Sequence, residues 1–131
     1  MIIKDNVGKR EIAYGAHDGR GESLWYRFFA ENDPSIGFFE LVFKLGTYAG
    51  YHRHEGSEEI LLVVSGKAEN FQDGNRCILD PGDAILTKSG QAHAVRNAGD
   101  EDLKILGFFA PLEALASVEN LPLPDEISDW E

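Results

Sequence analysis

With a single cysteine in 131 residues the chain has no intramolecular disulfide, so its fold has to rest on a packed core. That cysteine, Cys77, stands beside Ile78 and Leu79, and its apolar neighbours predict a small buried strand residue. Basic side chains are also scarce, 12 against 23 acidic ones, for a formal net charge of −11. Such a balance repels polyanions and lacks the counterion release that drives nucleic-acid binding; nucleic acid and membrane are therefore not expected partners. Long apolar runs are missing: the longest, Ile60–Val64, is far too short to span a bilayer. The opening Met1-Ile-Ile-Lys-Asp-Asn6 has no basic segment followed by an apolar run, so a cytoplasmic protein is expected. No nucleotide-binding glycine loop, serine-nucleophile motif or helix-turn-helix segment occurs either.

What is present reads as all-β. Short β-branched and aromatic runs alternate with glycine-rich punctuation, and the chain length suits one domain, residues 1–131. Strands are predicted at Ile12–Tyr14, Leu24–Ala30, Phe38–Leu45, Glu59–Ser65, Ala68–Gln72, Arg76–Leu79, Ala84–Thr87, Ala92–Arg96 and Leu103–Phe109. Asp73-Gly74 between two of them predicts a tight hairpin, because both residues tolerate the positive φ angles such turns demand. Ile60–Val64 is apolar on both faces, so something besides the interior has to cover its outer side. Adjacent pairs such as Phe38-Phe39 and Phe108-Phe109 make the same demand, and a homodimer is expected. Leu112–Val118 predicts one short amphipathic helix, followed by an acidic tail, residues 120–131, to which Trp130 belongs.

The chemistry lies in the histidines, of which there are four. On an extended strand His52 and His54 point to one side while Arg53 points to the other, so two imidazoles can enter one cavity. Glu59 can add a carboxylate oxygen from an adjacent strand, and His93 a third imidazole. Such nitrogen and oxygen donors suit iron, manganese, nickel, cobalt, copper or zinc, whereas calcium and magnesium prefer all-oxygen shells. His-x-His pairs also occur on solvent-facing loops with both rings merely hydrated. His17, in the polar segment Ala16-His-Asp-Gly-Arg-Gly21, reads as a solvated loop histidine.

The stretch from Gly46 to Gly66, with His52, His54 and Glu59 at fixed spacing, resembles the first cupin motif, G-x5-H-x-H-x4-E-x6-G, at every fixed position. Residues 82–97 resemble the second, G-x5-P-x-G-x2-H-x3-N, through Gly82, Gly90, His93 and Asn97, with Lys88 in place of the proline. Glu58 is a rival to Glu59, but six residues separate Glu59 from Gly66 and seven separate Glu58 from it, which favours Glu59.

The resemblance implies a double-stranded β-helix, the jelly-roll barrel of the cupins, holding one divalent transition metal through His52, His54, Glu59 and His93. It also implies a small-molecule substrate or ligand. Dioxygenase and isomerase or epimerase activity on a small polar or carbonyl-containing metabolite is the first functional expectation, and ligand binding or sensing without turnover is the alternative. No residue is singled out as a general acid or base. Asn97 is expected to hydrogen-bond to a loop.

Overall fold

The computed structural model describes residues 1–33, 35–110 and 117–131. Among these, the chain forms strands β1 (Glu11–Tyr14), β2 (Glu22–Arg27), β3 (Gly37–Phe43), β4 (Tyr48–His54), β5 (Glu58–Ser65) and β6 (Ala68–Gln72). There follow β7 (Asn75–Leu79), β8 (Ala84–Thr87), β9 (His93–Asn97), β10 (Leu103–Ala110) and β11 (Val118–Asn120). Two sheets result, one of six strands in the order β1-β2-β3-β10-β5-β8, the other of five in the order β11-β4-β9-β6-β7. Every strand pairing is antiparallel, as the expected jelly roll requires. No helix among the described residues is long and apolar enough to cross a membrane.

The hairpin expected at Asp73-Gly74 joins β6 and β7, with Gln72 opposite Asn75 and φ angles of 54° and 74° at the two loop residues. Two successive positive φ values match the right-handed twist of the flanking strands. Strand β5 alternates strictly: Glu59, Leu61 and Val63 are buried while Ile60, Leu62 and Val64 face outward. Between the sheets, Leu61 and Val63 meet Phe43, Val95, Leu103 and Ile105 in the core. The outer face of the five-stranded sheet carries a second cluster, in which Tyr48, Phe71 and Ala94 are covered by Ile127 and Trp130 of the tail.

Trp130 therefore pins the tail, and its anchorage is polar as well as apolar. Its Nε1–H donates to Glu69 at 3.1 Å, Arg20 donates to its carbonyl at 2.6 Å, and Arg96 lies over its ring. Burial alone would raise Glu69, but Arg76, Arg96 and Trp130 outweigh it and hold the carboxyl below the usual range.

One expectation needs correction. Cys77 is exposed, because β7 is the edge strand of its sheet and four of its five residues face solvent. Most of the helix expected over Leu112–Val118 lies outside the described residues, and its last residue, Val118, begins strand β11 against His54.

Candidate metal centre

Strand β4 does not run regularly. Ala49 pairs with Val95 and His52 with His93, so three steps along β4 match two along β9. That extra residue is a β-bulge, and it sets which way the histidines point. Residues three apart on a regular strand face opposite sides, yet Ala49 and His52 both line the interior. The bulge reverses the alternation between them, leaving Tyr48 and Tyr51 outside against Trp130 and Phe71 and turning His52 and His54 inward. Arg53 faces out, as its position between them predicts, and pairs with Glu119 of β11.

Glycine at position 50 is required by close packing. A Cβ there would lie 1.9 Å from the His17 carbonyl oxygen, so only glycine lets the 3-10 turn Ala16–Asp18 rest on β4. The Gly50 carbonyl in turn accepts a hydrogen bond from His52 Nδ1–H at 2.7 Å, which fixes the tautomer and leaves Nε2 with its lone pair.

The structure brings the three histidines together. Ligand atoms of His52, His54 and His93 all lie within 4.8 Å of one another, and each side chain is buried. Glu59 reaches the group from β5, with Oε1 3.2 Å from His93 Nε2 and Oε2 3.8 Å from His54 Nε2. Its carboxylate crosses from the facing sheet, not from an adjacent rung of the same one as the spacing suggested. Glu58, the rival position, is exposed.

Burial, reinforced by His93 and His17, pushes the His52 imidazole down to about 2, and burial also lowers His54 against the opposing pull of Glu59. Both rings are therefore neutral at pH 7 and have lone pairs to offer. His54 Nδ1 and Nε2, His93 Nδ1 and Glu59 Oε1 are buried without hydrogen-bond partners. Each such atom costs about 1–3 kcal/mol, and a cation among them removes that cost for those facing it. The donor set fits a first-row divalent ion.

His17 is the site residue that sequence reading missed. Its ring stacks on His52, with centroids 3.7 Å apart and planes at 10°, and it lines the same cavity instead of standing in solvent. Its Nδ1–H donates to Asn120 at 3.2 Å, and burial lowers its pKa. Nothing local in Ala16-His-Asp signals this, since the contact depends on Gly50, 33 positions away.

The one departure in the second motif, Lys88, and its closing residue, Asn97, also find their places. The Lys88 backbone N–H donates to Gln91 Oε1 at 2.9 Å, a bond that proline would not make, and the Gln91 N–H returns to the Lys88 carbonyl at 3.0 Å. This reciprocal pair supplies the local rigidity of the missing proline, and Gly90 N–H ties the turn to the His54 carbonyl at 2.7 Å. Asn97 Nδ2 donates to the carbonyls of Phe43, Lys44 and Glu101, the expected loop-holding role.

A cavity of about 280 Å³ opens from the cluster between the sheets. His17, His52, Glu59 and His93 lie in its wall, together with Trp25, Phe39, Leu41, Phe43, Leu61 and Phe109.

Known proteins agree with this architecture. The family model for the cupin domain matches residues 39–109. A Thermotoga maritima protein named oxalate-binding protein is 34% identical over 109 residues, covering 81% of this chain and 90% of its own length. The Streptomyces cyaneus polyketide synthase CurC is 31% identical over 77 residues, 58% of this chain and 50% of its own. Among solved structures, that of a predicted oxalate decarboxylase from Thermotoga maritima superposes with a TM-score of 0.77 at 24% identity, covering 86% of this chain and 100% of that one. Since the domain model spans more than half of the sequence and a relative aligns over most of it, this chain belongs to the cupin family.

Proposed function

We propose that the protein holds one divalent transition-metal ion on His52, His54, Glu59 and His93 and acts on a small carbonyl-containing metabolite, as a dioxygenase or an isomerase. The observation carrying this reading is the convergence of three buried imidazoles and one carboxylate, several of their polar atoms unpartnered, with His52, His93 and Glu59 in the wall of a cavity large enough for a metabolite. A bound ion supplies Lewis-acid polarisation and, if redox-active, dioxygen chemistry. The chain's own residues orient the donors: Gly50 fixes the His52 ring, and β5 presents Glu59. Ligand binding without turnover is a second reading, supported by the name of the 34%-identical relative, an oxalate-binding protein.

The test is elemental analysis of untagged protein beside a His52→Ala/His93→Ala double variant of confirmed fold. Near-stoichiometric metal in the parent and its loss in the variant is the expected outcome. A parent that is metal-free and takes up no iron, manganese, nickel, cobalt, copper or zinc on reconstitution would overturn the reading.

The partner expected for the protein itself is a second copy. The register aligns Phe38, Phe108, Ile60 and Leu86 in one row across four strands of the six-stranded sheet. Phe108, Ile60 and Leu86 are 45–46% exposed on its outer face. The tail covers the outer face of the other sheet but not this one, which supports a homodimer built here.

A further inference from the structure

The cavity is unlike one made for a small, fully polar compound. Beyond the histidines and Glu59, its walls are overwhelmingly apolar. Phe39 lies across Gly107, where a Cβ would meet its ring at 2.0 Å, and stacks on Phe109 at 5.0 Å. Phe109 in turn sets its ring against His54 at 5.2 Å, so an aromatic floor runs up to the imidazole cluster. Ala13, Ala16 and Ala49 also line the cavity, and their small side chains leave the space open. The remaining polar side chains are few: Ser23, which is buried, and Arg27, which donates twice to the Ile36 carbonyl at 3.2 and 3.1 Å.

A sugar in this space would strand most of its hydroxyls against carbon, and each unpartnered hydroxyl costs about ten- to a hundredfold in affinity. Oxalate would leave most of the cavity unfilled. An apolar cavity of about 150 Å³ accommodates benzene, so about 280 Å³ accommodates on the order of ten heavy atoms.

We infer that the ligand is amphipathic: a carbonyl or carboxyl head meets the His52, His54, Glu59 and His93 cluster, and an aromatic or branched hydrocarbon body lies on the Phe39 and Phe109 floor. This rests on the proposed metal reading and narrows the polar metabolite expected from sequence to one whose polarity is confined to one end.

The test is calorimetric titration of the full-length, metal-loaded protein with three probes: pyruvate, oxalate and phenylpyruvate, which adds an aromatic ring to pyruvate's head. Phenylpyruvate is expected to bind at least tenfold more tightly than either of the others. Ala49→Leu, which fills the cavity, is expected to abolish that advantage, with metal content measured on the same samples. Ala13→Leu, at the half-buried sheet edge, provides the same comparison should Ala49→Leu misfold. Equal affinities, tighter oxalate, or no phenylpyruvate binding to metal-loaded protein would overturn the inference while leaving the metal site standing. A chain that takes up no metal would overturn both, and the metal assay on the same samples separates the two failures.

Discussion

His52 is 3% exposed, neutral in the fold, and ordinary once unfolded, which couples protons to stability. Its folded pKa is depressed to about 2, so its contribution is fully present above the unfolded value near 6.5 and is lost as pH falls below it. For metal-free protein this amounts to roughly 2 kcal/mol between pH 7 and pH 5. Urea unfolding across that range is expected to show the loss in the parent and a shallower slope in a His52→Asn variant. Identical slopes would mean that His52 takes up its proton as readily in the fold as in the unfolded chain. The same scale explains one misplaced residue: two apolar neighbours predict burial for Cys77, but on edge strand β7 neighbours in sequence do not become neighbours in a core.

At the level of elements, the β-bulge in β4 and the turn resting on it act together. Gly50→Ala places a methyl group against the His17 backbone, so the turn has to withdraw and the carbonyl holding His52 has to move with it. The expected result is a stability loss of about 2 kcal/mol together with at least tenfold weaker metal binding, measured by denaturant midpoint and by competition with a chelator. Gly74→Ala is the control. It occupies positive φ with open space around it, so it is expected to cost about 1 kcal/mol of backbone strain and leave metal binding unchanged. This bulge is also why the hydrophobic pattern of β4 does not mark a strand, although the spacing of its two histidines predicts an extended segment. Tyr48-Ala-Gly-Tyr-His-Arg-His carries no single alternation because the pattern changes phase midway. Strand β5 was legible because its alternation is unbroken, and the hairpin because Asp73-Gly74 is a local turn signal. β11 was not, its three residues bearing no pattern of their own.

The whole molecule is covered unequally. One sheet has its outer face sealed by the tail, whereas on the other Ile60, Leu62 and Phe108 are exposed, with no cover among the described residues. The all-β class could be read from turn chemistry, and the convergence of His52, His54, Glu59 and His93 from motif spacing. The tail's anchorage could not, since Trp130 finds Glu69 and Arg20 only after both sheets exist. Light scattering after size exclusion is expected to give twice the 14.5 kDa chain mass for the parent and the single mass for an Ile60→Lys/Phe108→Lys variant. A monomeric parent would assign that face to something other than a second copy.

All the nitrogen donors to the cluster on strands come from β4 and β9 of one sheet, while Trp25, Phe39, Leu41 and Phe109 come from β2, β3 and β10 of the other. Mutation can therefore act on the two halves separately. A library randomised at positions 25, 39 and 41 leaves every imidazole in place, so such changes are expected to alter which compound binds while the proposed metal site stays constant. Descendants of one barrel could in this way come to hold new compounds with all three imidazoles still in place.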